Sequence, residues 1–319
     1  MTKTVLLIHE DADALAGMLD VPADVRVVAF DQEKASTNLM PAAQAIFPDA
    51  DAILSIGRWL TPSMLATAPS LKWVQCLITG VDHLLPVLSG SDIVLTNARG
   101  IHGPQMAELA ILHMMWGYRQ VPRLLRNQMA HVWDRFRPRV LANRTVVILG
   151  IGAIAEHTAQ VCKALGMRTV GVTSRPREVP GFDQVVGREN MMEAVKEADF
   201  LLVLLPMSAE NRGIVNADMF KVMKNSAYLI NLARGGIVDE NALVEALASK
   251  EIAGAGLDVF ATSPLPETSP LWDLENVFIT PWVGGQSDQY AQDLAPILNK
   301  NLAVFAKGDM SALTNVIAM

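Results

Sequence analysis

Two successive sets of short apolar runs rich in β-branched residues, with stretches of helical spacing between the runs, limit this chain to a small group of folds. The first set is residues 5–8, 25–30, 52–56, 73–77 and 93–96, and the second is 146–149, 169–172, 200–205, 228–232, 255–257 and 277–279. Runs of this length alternating with helical stretches imply parallel strands joined by crossover helices. The expected fold class is α/β, with two doubly wound parallel-sheet (Rossmann-like) domains and a cleft between them. A length of 319 residues suits two cores better than one.

Between the two sets, residues 104–115 read as a helix, with Pro104 in its first turn and Ala, Leu, Met and Ile nearly all round. Such a helix is expected to be buried between the domains. The segment 287–307 places Leu294, Ile297, Leu298, Leu302 and Phe305 at helical spacing and is expected to cross back to the first domain. The boundaries expected are 1–98 plus 287–319 for a discontinuous first domain and 99–286 for the second. Residues 263–270 carry Pro264, Pro266 and Pro270 and read as a loop.

Composition narrows the partners. Apolar residues make up 51% of the chain and charged ones 18%, and the net charge is −7 with no long Lys/Arg cluster. That balance argues against a nucleic-acid or anionic-membrane surface. No apolar run approaches the ~20 residues of a membrane crossing, and the early Glu10, Asp11 and Asp13 interrupt any export signal. Cys76 and Cys162 both lie in apolar segments, as reduced core thiols do. A cytoplasmic protein with a small-molecule partner and no metal is expected.

The run 146–149 leads into Gly150-Ile151-Gly152-Ala153-Ile154-Ala155, and a helical pattern opens at once with Glu156-His157-Thr158. In that context the glycines have specific uses. Gly150 permits a tight turn, Gly152 lets the backbone approach a pyrophosphate, and Ala155 packs helix on strand. The helix N-terminus then offers N–H groups and a positive dipole end to phosphate. The plain alternative is an ordinary glycine turn. At the end of the next strand an acid would grip the ribose 2′-hydroxyl of NAD(H). Here Val172 is followed by Thr173-Ser174-Arg175-Pro176-Arg177, with no acid, so NADP(H) is favoured over NAD(H), with Ser174, Arg175 and Arg177 as candidate contacts. A solvated basic loop is the alternative there.

Four further segments carry a resemblance. They are Trp73-Val74-Gln75 with Thr79-Gly80-Val81-Asp82, Gly103-Pro104-Gln105-Met106-Ala107-Glu108, Asn231-Leu232-Ala233-Arg234-Gly235-Gly236, and Gly256-Leu257-Asp258-Val259-Phe260. Together with the glycine turn, the chain resembles the D-2-hydroxyacid dehydrogenase family over nearly its whole length, nearest the glyoxylate/hydroxypyruvate reductase branch. The resemblance implies a flavodoxin-like substrate domain followed by a dinucleotide domain, and a homodimer through the latter. It implies that the amides of Thr79, Gly80 and Val81 receive a substrate carboxylate and that Arg234 clamps carboxylate and carbonyl. It also implies that Ala153, Ile154, Leu205, Pro206, Leu232, Ala233, Asp258 and Gly284 line the dinucleotide, with Asp258 at the nicotinamide carboxamide.

The family's pattern is broken at two positions. Its catalytic glutamate falls on Ser263 and its catalytic histidine on Trp282, which leaves the proton donor to be found. Glu267 is displaced by four residues from the first position and takes no role. His102 is the candidate donor, because it lies between Gly100 and Gly103 in the loop that borders the substrate in the family. The alternative for His102 is a substrate-contacting or exposed loop residue. Trp282 becomes a substrate-contacting residue. Three readings of function follow: an oxidoreductase on a small or aromatic 2-keto or 2-hydroxy carboxylate with an atypical proton donor, a silent dinucleotide sensor, and an enzyme of altered reaction on a larger carboxylate. Retention of Arg234, Asp258 and the carboxylate loop favours an enzyme.

Overall fold

The computed structural model of the chain describes residues 2–32, 38–57 and 59–318. The chain folds into two compact units, 1–101 with 287–319 and 102–286.

In the first unit the strands are β1 (Lys3–His9), β2 (Val25–Asp31), β3 (Ala52–Ser55), β4 (Trp73–Cys76) and β5 (Val94–Thr96), interleaved with the short helices α1 (Ala12–Ala16), α2 (Pro41–Ile46), α3 (Pro62–Leu65) and α4 (Leu85–Leu88). The strands form one parallel sheet in the order β2-β1-β3-β4-β5. Alternate side chains leave opposite faces of a strand, so each strand feeds two cores. Val5, Leu7, Leu54 and Trp73 enter one, and Leu6, Ile8, Ile53 and Val74 enter the other with Phe47, Leu84 and Leu88.

The second unit opens with α5 (Gly103–Tyr118) and α6 (Val121–Met129). It continues through β6 (Thr145–Leu149), α7 (Ala153–Ala164), β7 (Arg168–Thr173), β8 (Gln184–Gly187), α8 (Met191–Glu197), β9 (Phe200–Val203), α9 (Ala217–Val222), β10 (Tyr228–Asn231), α10 (Glu240–Ala248), β11 (Gly254–Leu257) and β12 (Val277–Ile279). Its sheet is parallel in the order β12-β11-β10-β9-β6-β7-β8. Because β6 stands between β7 and β9, successive crossovers run outward in opposite directions from it. The carboxyl ends of β6 and β9 are therefore a switch point, the place where open α/β sheets bind ligands. The last helix, α11 (Tyr290–Lys307), belongs to the first unit, and its Leu294, Leu298, Leu302 and Phe305 complete the core shared with Val5 and Trp73.

Three sequence expectations need correction. Strand β8 was not expected, since Gln-Val-Val-Gly is too short a run to register as periodic. The run 200–205 ends as a strand at Val203, because Leu204 and Leu205 already turn over Gly150. Helix α5 is not buried all round. Its Met106, Ala110 and Met114 pack in a core with α7 and β6, whereas Leu112 is 50% exposed and Met115 38%.

Candidate active site

Gly150 follows β6 with φ +96°, a left-handed conformation, and a β-carbon there would lie 3.0 Å from the Leu204 carbonyl oxygen and 3.1 Å from the α-carbon of Leu205. Both its conformation and its closeness to the β9 exit require glycine. A β-carbon at Gly152 would meet nothing within 4 Å, so the backbone there faces open space. The first intrahelical bond of α7 runs from the Glu156 N–H to the Gly152 carbonyl at 2.9 Å, which leaves the amides of Ala153, Ile154 and Ala155 without acceptors inside the helix. A glycine turn with open space in front of a helix N-terminus fits a dinucleotide pyrophosphate. Ala155 is buried against the sheet.

Beyond β7, Ser174 and Arg175 are exposed, and the Arg175 amide is held by Thr173 Oγ1 at 3.4 Å. Arg177 is already engaged, pairing with Glu156 Oε1 at 2.7 Å and so tying its loop to the first turn of α7. An exposed pair of this kind contributes little and exchanges readily.

The carboxyl ends of β10, β11 and β12 carry the remaining candidates. Asn231 bonds twice across its own turn, accepting from the Ala233 amide at 3.1 Å and donating to the Arg234 carbonyl at 3.1 Å. The Arg234 Nη1 donates to the Ala233 carbonyl at 2.8 Å. A β-carbon on Gly235 would fall 1.8 Å from the carbonyl carbon of Phe260, so this backbone lies directly against the exit of β11. Leu232 and Ala233 are both buried. Asn231 was not read as a site residue. An Asn ending a strand two residues before the amide it caps is the signal that was available.

Asp258 is buried and accepts from Thr280 Oγ1 at 2.6 Å, from the Val283 amide at 3.0 Å and from the Gly284 amide at 3.0 Å. Burial raises its pKa above the usual carboxylate range, opposed by those three donors. The Asp258 carbonyl also accepts from the Trp282 amide at 3.0 Å, and Trp282 is held at φ +57°. The turn 280–284 is thus organised by one carboxylate. His102, the residue before α5, is 5% exposed and lies against that turn: a β-carbon on Gly285 would be 3.2 Å from its Cδ2 and 3.6 Å from its Nε2. Of the alternatives for His102, an exposed loop residue does not hold. Ser263 is exposed in its loop.

In the first unit, four successive carbonyls of the Thr79-Gly80-Val81 loop are taken by donors. Leu77 accepts from the Tyr290 hydroxyl at 2.5 Å, Ile78 from the Ala98 amide at 3.3 Å, Thr79 from Asn97 Nδ2 at 2.7 Å and Gly80 from the Cys76 thiol at 3.7 Å. In a trans peptide the following N–H points opposite to the carbonyl. The amides of Ile78, Thr79, Gly80 and Val81 therefore point away from these donors. The sequence reading missed Tyr290, Asn97 and Cys76, which orient the loop.

Residues 111–284 match the sequence profile of the D-isomer specific 2-hydroxyacid dehydrogenase NAD binding domain. The chain belongs to the D-isomer specific 2-hydroxyacid dehydrogenase family. A D-3-phosphoglycerate dehydrogenase of Methanocaldococcus jannaschii is 30% identical over 85% of this family member and 52% of its own length. The chain thus spans about half the length of the curated phosphoglycerate dehydrogenases it matches. A glyoxylate reductase of Korarchaeum cryptofilum is 30% identical over 82% of the chain and 81% of that protein. Among solved structures, a D-isomer specific 2-hydroxyacid dehydrogenase family protein of Aeromonas salmonicida superposes with a TM-score of 0.88 at 31% identity, covering 100% of this chain and 99% of that one. An NADPH-dependent glyoxylate/hydroxypyruvate reductase of Sinorhizobium meliloti, solved with NADP and sulfate, gives a TM-score of 0.84 at 26% identity, covering 99% and 98%.

One further polar residue of this dehydrogenase-family chain reaches the 280–284 turn. His113 of α5 lies 3.3 Å through Nε2 from Thr280 Oγ1. Burial lowers its pKa from 6.5 to about 4. Between those values the unfolded chain holds a proton that the folded one lacks, so stability rises with pH across the window and is lost on acidification from about 6.5 towards 4. At 1.36 kcal/mol per unit the loss approaches about 3 kcal/mol. Asp258, with a raised pKa, acts in the opposite sense as pH rises above the usual carboxylate range, and it is common to both proteins compared below. Urea unfolding of wild type and His113→Leu at several pH values checks this. Wild type should lose stability relative to the variant on acidification, and a pH-independent difference would refute the assignment.

Proposed function

We propose that this protein is an NADP(H)-preferring oxidoreductase acting on a small or aromatic 2-keto or 2-hydroxy carboxylate, with an atypical proton donor. The observation that carries the reading is the gathering, at the carboxyl edge of one parallel sheet, of the Gly150 turn, Leu205 and Pro206, Arg234 and the Asp258-organised turn. When bound, the dinucleotide supplies or receives the hydride. The chain's own groups do the rest. Gly150, Gly152, Ala153 and Ile154 hold the pyrophosphate, Leu205, Pro206, Leu232, Ala233 and Gly284 line the remainder, and Asp258 takes the nicotinamide carboxamide. The outward amides of Thr79, Gly80 and Val81 take the substrate carboxylate.

Arg234 stabilises the carbonyl oxygen as negative charge develops on it, which a planar cationic fork does better than a point charge. His102 donates the proton. What supports it is its burial beside Gly285, next to the turn that carries Trp282, whereas His113, buried against the same turn, is engaged with the Thr280 hydroxyl. His102→Asn should lower kcat by about 10²-fold or more while leaving the NADPH Kd near wild type. A raised KM with unchanged kcat would reduce His102 to a substrate contact. If the wild type binds NADPH tightly yet turns over no 2-keto acid in a broad panel, the sensor reading replaces the enzyme.

The NADP(H) preference rests on Ser174, Arg175 and the absence of an acid after Val172. Arg175→Ala should weaken NADPH by about 1.5–3 kcal/mol relative to NADH, the range of a charge-assisted bond. Calorimetric titration with both cofactors measures it, and equal losses would end the preference.

A homodimer through the second unit is supported by apolar side chains clustered in 124–140. Leu124, Leu125, Val132 and Val140 are about half exposed, Met129 is 84% exposed and Trp133 is 93%. Single exposed apolar residues are ordinary, but a run of them marks an interface. Light scattering should give twice the 34.6 kDa of the chain, and Trp133→Glu should shift the mass towards one. A monomeric wild type would exclude the dimer.

A further inference from the structure

His113 sits in the middle of α5, 2% exposed, with its ring tilted against Phe278 at 4.9 Å between centroids. Its Nε2 is 3.3 Å from Thr280 Oγ1, which is 2.6 Å from Asp258 Oδ1. The protons in this series are fixed by counting. A carboxylate only accepts, and a hydroxyl has one proton to give. Thr280 therefore donates to Asp258 and must accept from His113, which makes the ring the Nε2–H tautomer. Its Nδ1 is then a lone pair, buried with no hydrogen-bond partner among the described residues. That nitrogen faces the backbone of β11, since a β-carbon on Gly256 would lie 2.2 Å from it. An apolar side chain of similar size would fill the space without leaving a lone pair unmet. Packing alone does not account for an imidazole here.

We propose that His113 is a positioning residue, fixing the Thr280 hydroxyl and, through it, the Asp258 carboxylate that organises the turn bearing Trp282 and Gly284. The series crosses three elements of the second unit. It begins on α5, passes through the residue after β12 and ends on the residue after β11, whose two oxygens hold the Val283 and Gly284 amides. Without the donor from His113 the Thr280 oxygen loses an acceptor role, and its hydroxyl is free to rotate off Asp258. The carboxylate then has one fewer fixed donor and the turn one fewer restraint. The proposal rests on the reading that Asp258 and this turn serve the dinucleotide, and its test separates the two.

Long-range ¹H–¹⁵N spectra of the full chain at neutral pH should assign His113 to the neutral Nε2–H tautomer, and an Nδ1–H tautomer overturns the proposal. NADPH titration should find His113→Leu and Thr280→Val each weakened roughly tenfold, with the double variant no worse than either, because both break one series. His113→Gln, whose amide nitrogen can replace Nε2 as donor, should stay near wild-type affinity. A pure packing role reverses the order, with Leu equal to wild type and Gln worse. Wild-type NADPH affinity in folded His113→Leu, where Asp258→Asn has lost affinity, also overturns it. If Asp258→Asn binds NADPH as wild type does, the cofactor reading of Asp258 fails on its own. His113 is then judged by urea unfolding of the same single and double variants: coupling between His113→Leu and Thr280→Val upholds its positioning role, and additivity removes it.

Discussion

One buried carboxylate holds the exits of two strands in register. Asp258 leaves β11 with its side chain turned towards the exit of β12, where it accepts from Thr280, Val283 and Gly284. A buried carboxylate left unpaired is costly, and hydrogen bonds to a charged group contribute about 1.5–3 kcal/mol each, so the donors must assemble wherever Asp258 is buried. Three donors from a five-residue stretch leave that stretch little freedom. The positions of Trp282 and of Gly285, against which His102 packs, follow from this single requirement.

The rest of the candidate chemistry is made largely from backbone. The N-terminus of α7 offers amides because a helix cannot satisfy its own first turn, and the Thr79-Gly80-Val81 loop offers amides because its carbonyls are taken from behind. Neither needs a cation, which is consistent with an acidic chain whose partner carries phosphate or carboxylate. Arg234 is the exception. Its backbone is fixed on both sides by Asn231, and the close approach of Gly235 to Phe260 fixes where that turn sits against β11. A long flexible side chain thus starts from a rigid base.

Periodicity made the two parallel sheets legible, because buried parallel strands are near-continuous apolar runs and the glycines of 150–152 mark where a strand must turn into a helix. It could not register β8, four residues long, nor the end of β9 at Val203, which is set by the approach to Gly150 rather than by any change in hydropathy. The apolar circumference of α5 suggested complete burial, but composition does not say which flank the fold covers, and Leu112 and Met115 remain exposed. Side chains that act on backbone far away in sequence were the least visible. Tyr290 meets Leu77 across 213 residues and His113 meets Thr280 across 167, and no local spacing announces either pair.

Trp282 joins these strands of argument. A bulky side chain at φ +57° is in a region that L-residues avoid, at a cost of order 1–3 kcal/mol. That cost is met by the bonds around it: its own amide goes to the Asp258 carbonyl, and the next two amides go to the Asp258 carboxylate. The strain is therefore sustained by neighbours on the backbone. It follows that the backbone fixes the direction in which the side chain at 282 leaves the chain. A histidine at the same position would inherit the same direction. It would lack an orienting carboxylate at 263, where Ser263 is exposed, so its ring would be aimed without being held in one tautomer. The turn supplies position, and the ring packed beside it is that of His102.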